Sequence, residues 1–269
     1  MTLKLMAIDI DGTLVNARKE LTPAVSQAIQ RARHEGKKVV ICTGRPLAGA
    51  KSYLSALGLD QADDEYIVSY NGAVVETTSG QVIFKKGLDY AEYLDLETIS
   101  RQLKLHFQAV GLKRIYTANR DIGKWTLYNS RIVDLGVSYR TTDEMRAISI
   151  IKCMFVDDPK YLDERLTSPL FQTMASRVVF SKTEPFYYEA TAAGVTKGTG
   201  LAQLTQHLGL TADEVMAIGD EANDAAMIRY AGYGVAMGNA VPVTKAQADF
   251  ITADCEHDGV AVAINRVLA

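Results

Sequence analysis

Apolar and polar positions alternate along this chain in two distinct rhythms. The opening run, Leu3–Ile10, is short and largely apolar, which suits a strand buried on both faces. Thr22-Pro23 then reads as a helix cap and first helical residue. Val25, Ala28, Ile29 and Ala32 follow at helical spacing, and Gly36 closes the element. Lys38–Cys42 predicts a second buried strand, Pro46–Leu57 a second helix ended by Gly58, and Tyr66–Ser69 a third strand. Strand–helix–strand–helix–strand grammar of this kind argues for a parallel sheet.

After Asn71-Gly72, a strong hairpin signal, the grammar changes. Ala73–Glu76 and Val82–Lys85 flank the turn Thr78-Ser79-Gly80. Strand-like runs then follow at His106–Val110, Arg114–Ala118, Ile148–Val156, Arg177–Ser181 and Phe186–Glu189, with helices expected over Asp89–Leu103 and Pro159–Leu166. The first rhythm returns with helix Lys197–Leu208, strand Val215–Ile218, helix Ala225–Ala231, strand Tyr233–Ala236, and helices Pro242–Ala248 and Asp258–Leu268. The expectation is an α/β core formed by residues 1–85 and 190–269, interrupted by an α+β insertion over 86–189.

Composition narrows the function classes. Of 269 residues, 48% are hydrophobic and 23% charged, ample for a packed core. A net charge of −3 gives no support for binding nucleic acid or an anionic membrane. No run approaches the ~18 apolar residues of a membrane helix, and the N-terminal apolar stretch is too short for a secretory signal. Cys42, Cys153 and Cys255 are scattered without a C-x-x-C pair, so a reducing cytoplasmic setting is expected. Oligomeric state is not legible.

Three polar clusters each follow an expected core strand: Asp9-Ile10-Asp11-Gly12-Thr13, Thr43-Gly44-Arg45, and Gly219-Asp220-Glu221-Ala222-Asn223-Asp224. Open parallel sheets bind ligands at the carboxyl ends of their strands, so the three can meet in one crevice. Asp9 and Asp11 share the strand's period of two, and such like charges call for a cation between them. Oxygen-only ligands, with Asp220 adding a third carboxylate and no histidine near, suit Mg²⁺ rather than zinc. An isolated Asp-x-Asp is ordinarily a solvated turn; the following Gly-Thr and the matching acid at 220 set this one apart. An EF-hand is excluded because Gly12 comes one place early and follows a strand.

Thr43-Gly44 and the helix start after Arg45 suit phosphate oxygens. Cys42 lacks the Cys-x₅-Arg spacing of a cysteine phosphatase, since position 48 is Ala48, and reads as a buried core thiol. Lys197, at the start of a helix, can set a point charge against phosphate. Gly198 and Gly200 complete neither a P-loop nor a dinucleotide fingerprint. His34, His106, His207 and His257 lie outside all the clusters.

Asp9-x-Asp11-Gly12-Thr13, Thr43-Gly44-Arg45, Lys197 and Gly219-Asp220-x-x-Asn223-Asp224 resemble, in order, the four motifs of the haloacid dehalogenase superfamily. The insertion resembles the C2-type cap of its Cof-type (subclass IIB) phosphatases, on a Rossmann-like core. Tyr116–Ile122 and Ser69–Ala73 look most like YidA-type sugar phosphatases. The resemblance implies a Mg²⁺-dependent phosphatase acting on a small phosphorylated metabolite, with sugar phosphates foremost and pyridoxal phosphate or flavin mononucleotide as alternatives. It implies Asp9 as nucleophile and Asp11 as acid and base. Ile10, Thr43, Gly44, Lys197 and Asn223 would bind the phosphoryl group. Asp9, Asp11 through its backbone carbonyl, and Asp220 would hold the metal, with Asp224 supporting that shell. The cap would close over the site.

A sugar phosphomutase is the nearest rival within the superfamily. A dehalogenase would need neither Asp11 nor Asp220. A transport ATPase would need membrane helices. A metabolite-binding regulator with a dead site sits poorly with intact Asp9, Asp11, Lys197 and Asp220.

Overall fold

The computed structural model describes residues 3–269, which divide into two compact units: residues 3–85 with 196–269, and residues 86–195. In the first, strands β1 (Leu5–Ile8), β2 (Lys38–Cys42), β3 (Tyr66–Ser69), β4 (Val74–Thr77) and β5 (Val82–Lys85) are joined by helices α1 (Pro23–His34) and α2 (Leu47–Ala56). The second holds helices α3 (Tyr90–Leu103), α4 (Lys124–Val133) and α5 (Pro159–Leu166) and strands β6 (His106–Val110), β7 (Arg114–Thr117), β8 (Gly136–Tyr139), β9 (Lys152–Val156), β10 (Val178–Glu184) and β11 (Tyr187–Ala192). The first unit then resumes with α6 (Lys197–His207), β12 (Val215–Gly219), α7 (Ala225–Tyr230), β13 (Tyr233–Ala236), α8 (Pro242–Lys245), β14 (Phe250–Ile251) and α9 (Gly259–Leu268).

The core sheet has eight strands in the order β14-β13-β12-β1-β2-β3-β4-β5. It is parallel from β14 to β3; β4 and β5 add antiparallel neighbours at one edge. The central strands are apolar throughout because they serve two cores at once. Met6 and Ile8, with Val39, Ile41, Met216 and Ile218, pack against α1, α2 and α9. Leu5 and Ala7, with Val40, Cys42, Val215 and Ala217, pack against α6 and α7. The pairing Met6 with Val39 and Met216 keeps each set in one layer, as the two-residue period of a strand demands. Burying each larger side chain contributes roughly 1.5–3 kcal/mol.

The inserted unit has a six-stranded sheet, β10-β11-β9-β6-β7-β8, that is antiparallel except where β7 meets β8. One face carries Phe107, Cys153, Phe155 and Ala190 against α3 and α5. The opposite face meets α4, where Asn129 Nδ2 lies 3.7 Å from Met154 Sδ and the Tyr187 hydroxyl donates to Trp125 O over 3.1 Å.

Three expectations need correction. The pattern contained neither α4 nor β8. The buried positions of α4 are the polar Thr126 and Asn129, while Leu127, Tyr128 and Ile132 are exposed, so no apolar stripe marks the helix. β8 has no fully buried residue. The helix expected over Pro242–Ala248 stops at Lys245, and the edge strand β14 follows. The insertion runs to Val195 rather than 189, because β11 continues through Ala192 in its sheet and Thr196 caps α6.

Candidate active site

β1 delivers Asp9 to the carboxyl edge of the core sheet, where Asp9 N donates to Ile218 O of β12. Beyond Asp9 the chain turns sharply at Gly12, with φ +78°. A Cβ there would come within 2.3 Å of Asp220 Oδ2, so glycine is required for both the turn and the close approach. Asp220 arrives from the end of β12, and Thr13 Oγ1 donates to its Oδ1 over 2.7 Å. Gly219 allows a close approach on the other side: a Cβ would lie 2.5 Å from Asp224 Cβ.

Lys197 is the first residue of α6, whose N-cap Thr196 forms a reciprocal capping box with Thr199. Its side chain is 1% exposed, and its Nζ lies 2.6 Å from both Asp9 Oδ1 and Asp224 Oδ1. Asp224 Oδ2 accepts from the backbone N–H of Asp220 and Glu221. Both Asp224 oxygens are therefore engaged within the protein, which fits a residue that steadies its neighbours.

Asp9, Asp220 and Asp224 each offer an oxygen within 4.8 Å of the others. Three carboxylates against one ammonium leave two negative charges when all are ionised. Burial pushes Asp9 up to about 7, helped by Asp224 and opposed by Lys197 and the Ile10 N–H. Burial likewise raises Asp220 to about 6, against the Thr13 hydrogen bond. Lys197 is raised, because its carboxylate partners outweigh the cost of burying the ammonium. The cluster is short of positive charge by two, which is the deficit a divalent ion with oxygen ligands would fill. Asp9 and Asp220 are the residues with oxygens suited to hold it.

Asp11 faces elsewhere. Arg45 grips it as a fork, Nε to Oδ2 at 3.0 Å and Nη2 to Oδ1 at 2.8 Å, and Lys19 Nζ adds a third contact at 2.7 Å. Burial would raise its carboxyl, but these cations hold it below the ordinary aspartate range.

Thr43 is buried at the end of β2, its Oγ1 accepting from Arg45 N. Gly44 sits against the side chain of Asn71, whose Oδ1 accepts from Asn223 Nδ2 over 2.9 Å. Ile10 is fully buried, with its N–H directed at Asp9. Burial raises the Cys42 thiol far from nucleophilic range.

Two contributors escaped the motif reading. Asn239 Nδ2 donates to Gly12 O at 2.9 Å and to Asp220 Oδ2 at 3.2 Å, and Asn239 Oδ1 accepts from Cys255 N. It follows the end of β13, so the rule that drew attention to the other strand ends applies to it too. Asn71 stands in the hairpin signal and in the Ser69–Ala73 stretch, with no site role of its own expected from either.

The sequence model of one protein family, described as haloacid dehalogenase-like hydrolase, matches residues 6–264. The chain belongs to that family. M6_Spy0533 of Streptococcus pyogenes, whose name assigns it provisionally as a phosphatase, is 40% identical over 266 residues, covering 99% of this chain and 98% of its own. The crystal structure of a haloacid dehalogenase-like hydrolase from Bacteroides thetaiotaomicron superposes with a TM-score of 0.85 at 29% identity, over 98% and 99% of the two chains. The subclass IIB sugar phosphatase BT4131 gives a TM-score of 0.79 at 26% identity, over 98% of each chain. This haloacid dehalogenase-like hydrolase is thus a phosphoric monoester hydrolase of the Cof-type group. Phosphatases of the superfamily are generally magnesium-dependent, in keeping with the aspartate triad. Among the described residues, no helix is long and apolar enough to cross a membrane.

Proposed function

We propose that this hydrolase removes phosphate from small phosphorylated metabolites, sugar phosphates foremost, through an aspartyl-phosphate on Asp9 and with Mg²⁺ as cofactor. The observation that carries the reading is the buried cluster Asp9–Asp220–Asp224 around Lys197 at the carboxyl edge of the sheet. The sugar-phosphate preference is supported by the likeness to BT4131, which is named a sugar phosphatase.

Asp9 Oδ attacks phosphorus, forming one P–O bond as the bond to the leaving oxygen breaks. Asp11 gives its proton to that oxygen, releasing an alcohol. Asp11, now a carboxylate, takes a proton from water as the water attacks the aspartyl-phosphate. The P–O bond to Asp9 breaks, and inorganic phosphate leaves. Bound Mg²⁺, held by Asp9, Asp220 and the Asp11 carbonyl, would supply the charge stabilisation that phosphoryl transfer chiefly demands.

The remaining residues position the phosphoryl group. Lys197, locked by two carboxylates, sets a fixed positive charge beside Asp9. Thr43, the Gly44 and Ile10 N–H groups and Asn223 offer hydrogen bonds to its oxygens. Asp11 in the Arg45 fork is poised as the base of the second half. To act as the acid of the first half it must leave that fork and gain a proton, which a drier site favours.

The test is a panel of phosphate esters with and without Mg²⁺, reading inorganic phosphate. Metal-dependent release from sugar phosphates is expected, with turnover abolished in Asp9→Asn while the folded spectrum is kept. Release by that variant, or a panel without any sugar phosphate among the substrates, would overturn the reading.

A further inference from the structure

Between β3 and β4 the backbone does something costly. Tyr70, Asn71 and Gly72 carry φ values of 52°, 55° and 93° in succession. Left-handed backbone at a bulky residue such as Tyr70 is rare and costs energy unless its surroundings impose it. Asparagine tolerates this region better than most residues, so position 71 is chemically apt for it.

The surroundings do impose it. Tyr70 N donates to Arg45 O, and Asn71 N donates to Thr43 O, so the segment is tied to the loop after β2. Gly72 is pressed against the start of α6: a Cβ there would lie 2.0 Å from Thr196 O. Gly200 of the same helix has its own missing Cβ 2.6 Å from Gly72 Cα. The side chain of Asn71 then reaches a third loop, accepting from Asn223 Nδ2 at 2.9 Å. One three-residue segment thereby touches three of the segments assigned to the phosphoryl group, those of Thr43–Gly44, Lys197 and Asn223.

A simple hairpin would need only the turn backbone. The side-chain bond is the extra feature, and it has a chemical consequence. A carboxamide can be flipped, presenting either its oxygen or its NH₂ to an incoming anion. By accepting one N–H of Asn223, Asn71 Oδ1 holds the NH₂ on its own side, and the second N–H of the same group remains for a phosphoryl oxygen. Gly44 leaves the room for this, since a Cβ at 44 would sit 3.1 Å from Asn71 Oδ1.

We propose that Asn71 is a positioning residue that orients the Asn223 carboxamide as a phosphate donor. The proposal rests on Asn223 binding phosphate as argued above. Its test is a double-mutant cycle of Asn71→Gly and Asn223→Ala in the Mg²⁺-loaded protein. Glycine accepts the left-handed backbone freely, so the substitution removes the amide and keeps the turn. The readouts are KM for a phosphate ester, kcat, and inhibition by inorganic phosphate.

Asn71→Gly should raise both KM and the inhibitory phosphate concentration about tenfold, the scale of one positioned hydrogen bond. Asn223→Ala should do the same, and the double variant should lose no more than Asn223→Ala alone. Additive losses, or a silent Asn71→Gly beside an impaired Asn223→Ala, overturn the positioning role and leave Asn223 as a phosphate ligand. A silent Asn223→Ala overturns both. Asn71→Asp gives an independent check, because it also tolerates the backbone but sets a negative charge beside the site. It should weaken phosphate inhibition in a way that added salt relieves, and unchanged inhibition would place residue 71 away from the phosphoryl group.

Discussion

Removing the Lys197 ammonium should cost this protein stability before it costs anything else. The side chain is 1% exposed and contacts two carboxylates that are themselves 7% and 0% exposed. At 2.6 Å and an effective dielectric of ~20, each contact is worth roughly 6 kcal/mol of attraction, most of it offset by desolvation. What matters for Lys197→Met is what stays behind: Asp9 and Asp224 buried without a cation. Breaking a buried pair in this way costs about 3–5 kcal/mol, a large share of any domain's stability.

The pH dependence follows from the carboxylates left behind. Burial already raises the Asp9 carboxyl against the pull of Lys197; without that cation it rises further, and a carboxyl raised above its unfolded value stabilises the fold only while protonated. The deficit against the native protein should therefore be smallest at acidic pH and grow as pH rises through neutrality. On the proposed reading Mg²⁺ would be held in the folded state by Asp9 and Asp220, and its addition should narrow the deficit. The assay is urea unfolding in chelator and in Mg²⁺, followed by far-UV circular dichroism. The single tryptophan, Trp125, lies in the inserted unit and would report on that unit instead. An unchanged midpoint, or a deficit that ignores pH, would refute the charge accounting at this cluster.

Two further outcomes are expected. Asn239→Ala removes the amide that ties Asp220 to the Gly12 carbonyl, so Mg²⁺ affinity by calorimetric titration should fall about 10–100-fold; unaltered binding would show that Asp220 needs no such support. Glu76 is buried on β4, and burial raises its carboxyl despite the Ser69 hydrogen bond. Its charge therefore destabilises the fold increasingly as pH climbs past the ordinary glutamate value. Glu76→Gln should accordingly raise the melting temperature at neutral pH and give no gain at acidic pH, where native Glu76 is protonated; a loss at neutral pH would contradict this.

The α/β class and the strands that carry the site were determined by the sequence alone, because a strand buried on both faces can be written only as an unbroken apolar run. Leu5–Ile8, Val39–Cys42 and Val215–Gly219 are such runs. The chemistry at their ends was equally legible: Asp9, Thr43 and Asp220 follow directly, and the topology rule for parallel sheets brings them together. Helix α4 was hidden because its buried positions, Thr126 and Asn129, are polar and packed by a neighbouring sheet that local periodicity cannot reveal.

Partner choice belonged to the tertiary structure. Nothing in the sequence says that Asp11 turns to Arg45 and Lys19, that Asn239 reaches across to Asp220 and Gly12, or that Asn71 meets Asn223. Spacing along a strand fixes which way a side chain points, but a hydrogen bond between residues far apart in the chain depends on where loops land. That is set by packing contacts such as Gly72 on Thr196 and Gly12 on Asp220. The sequence supplied the acids and the basic residues; the fold decided which of them neutralise one another and which are left short of a cation.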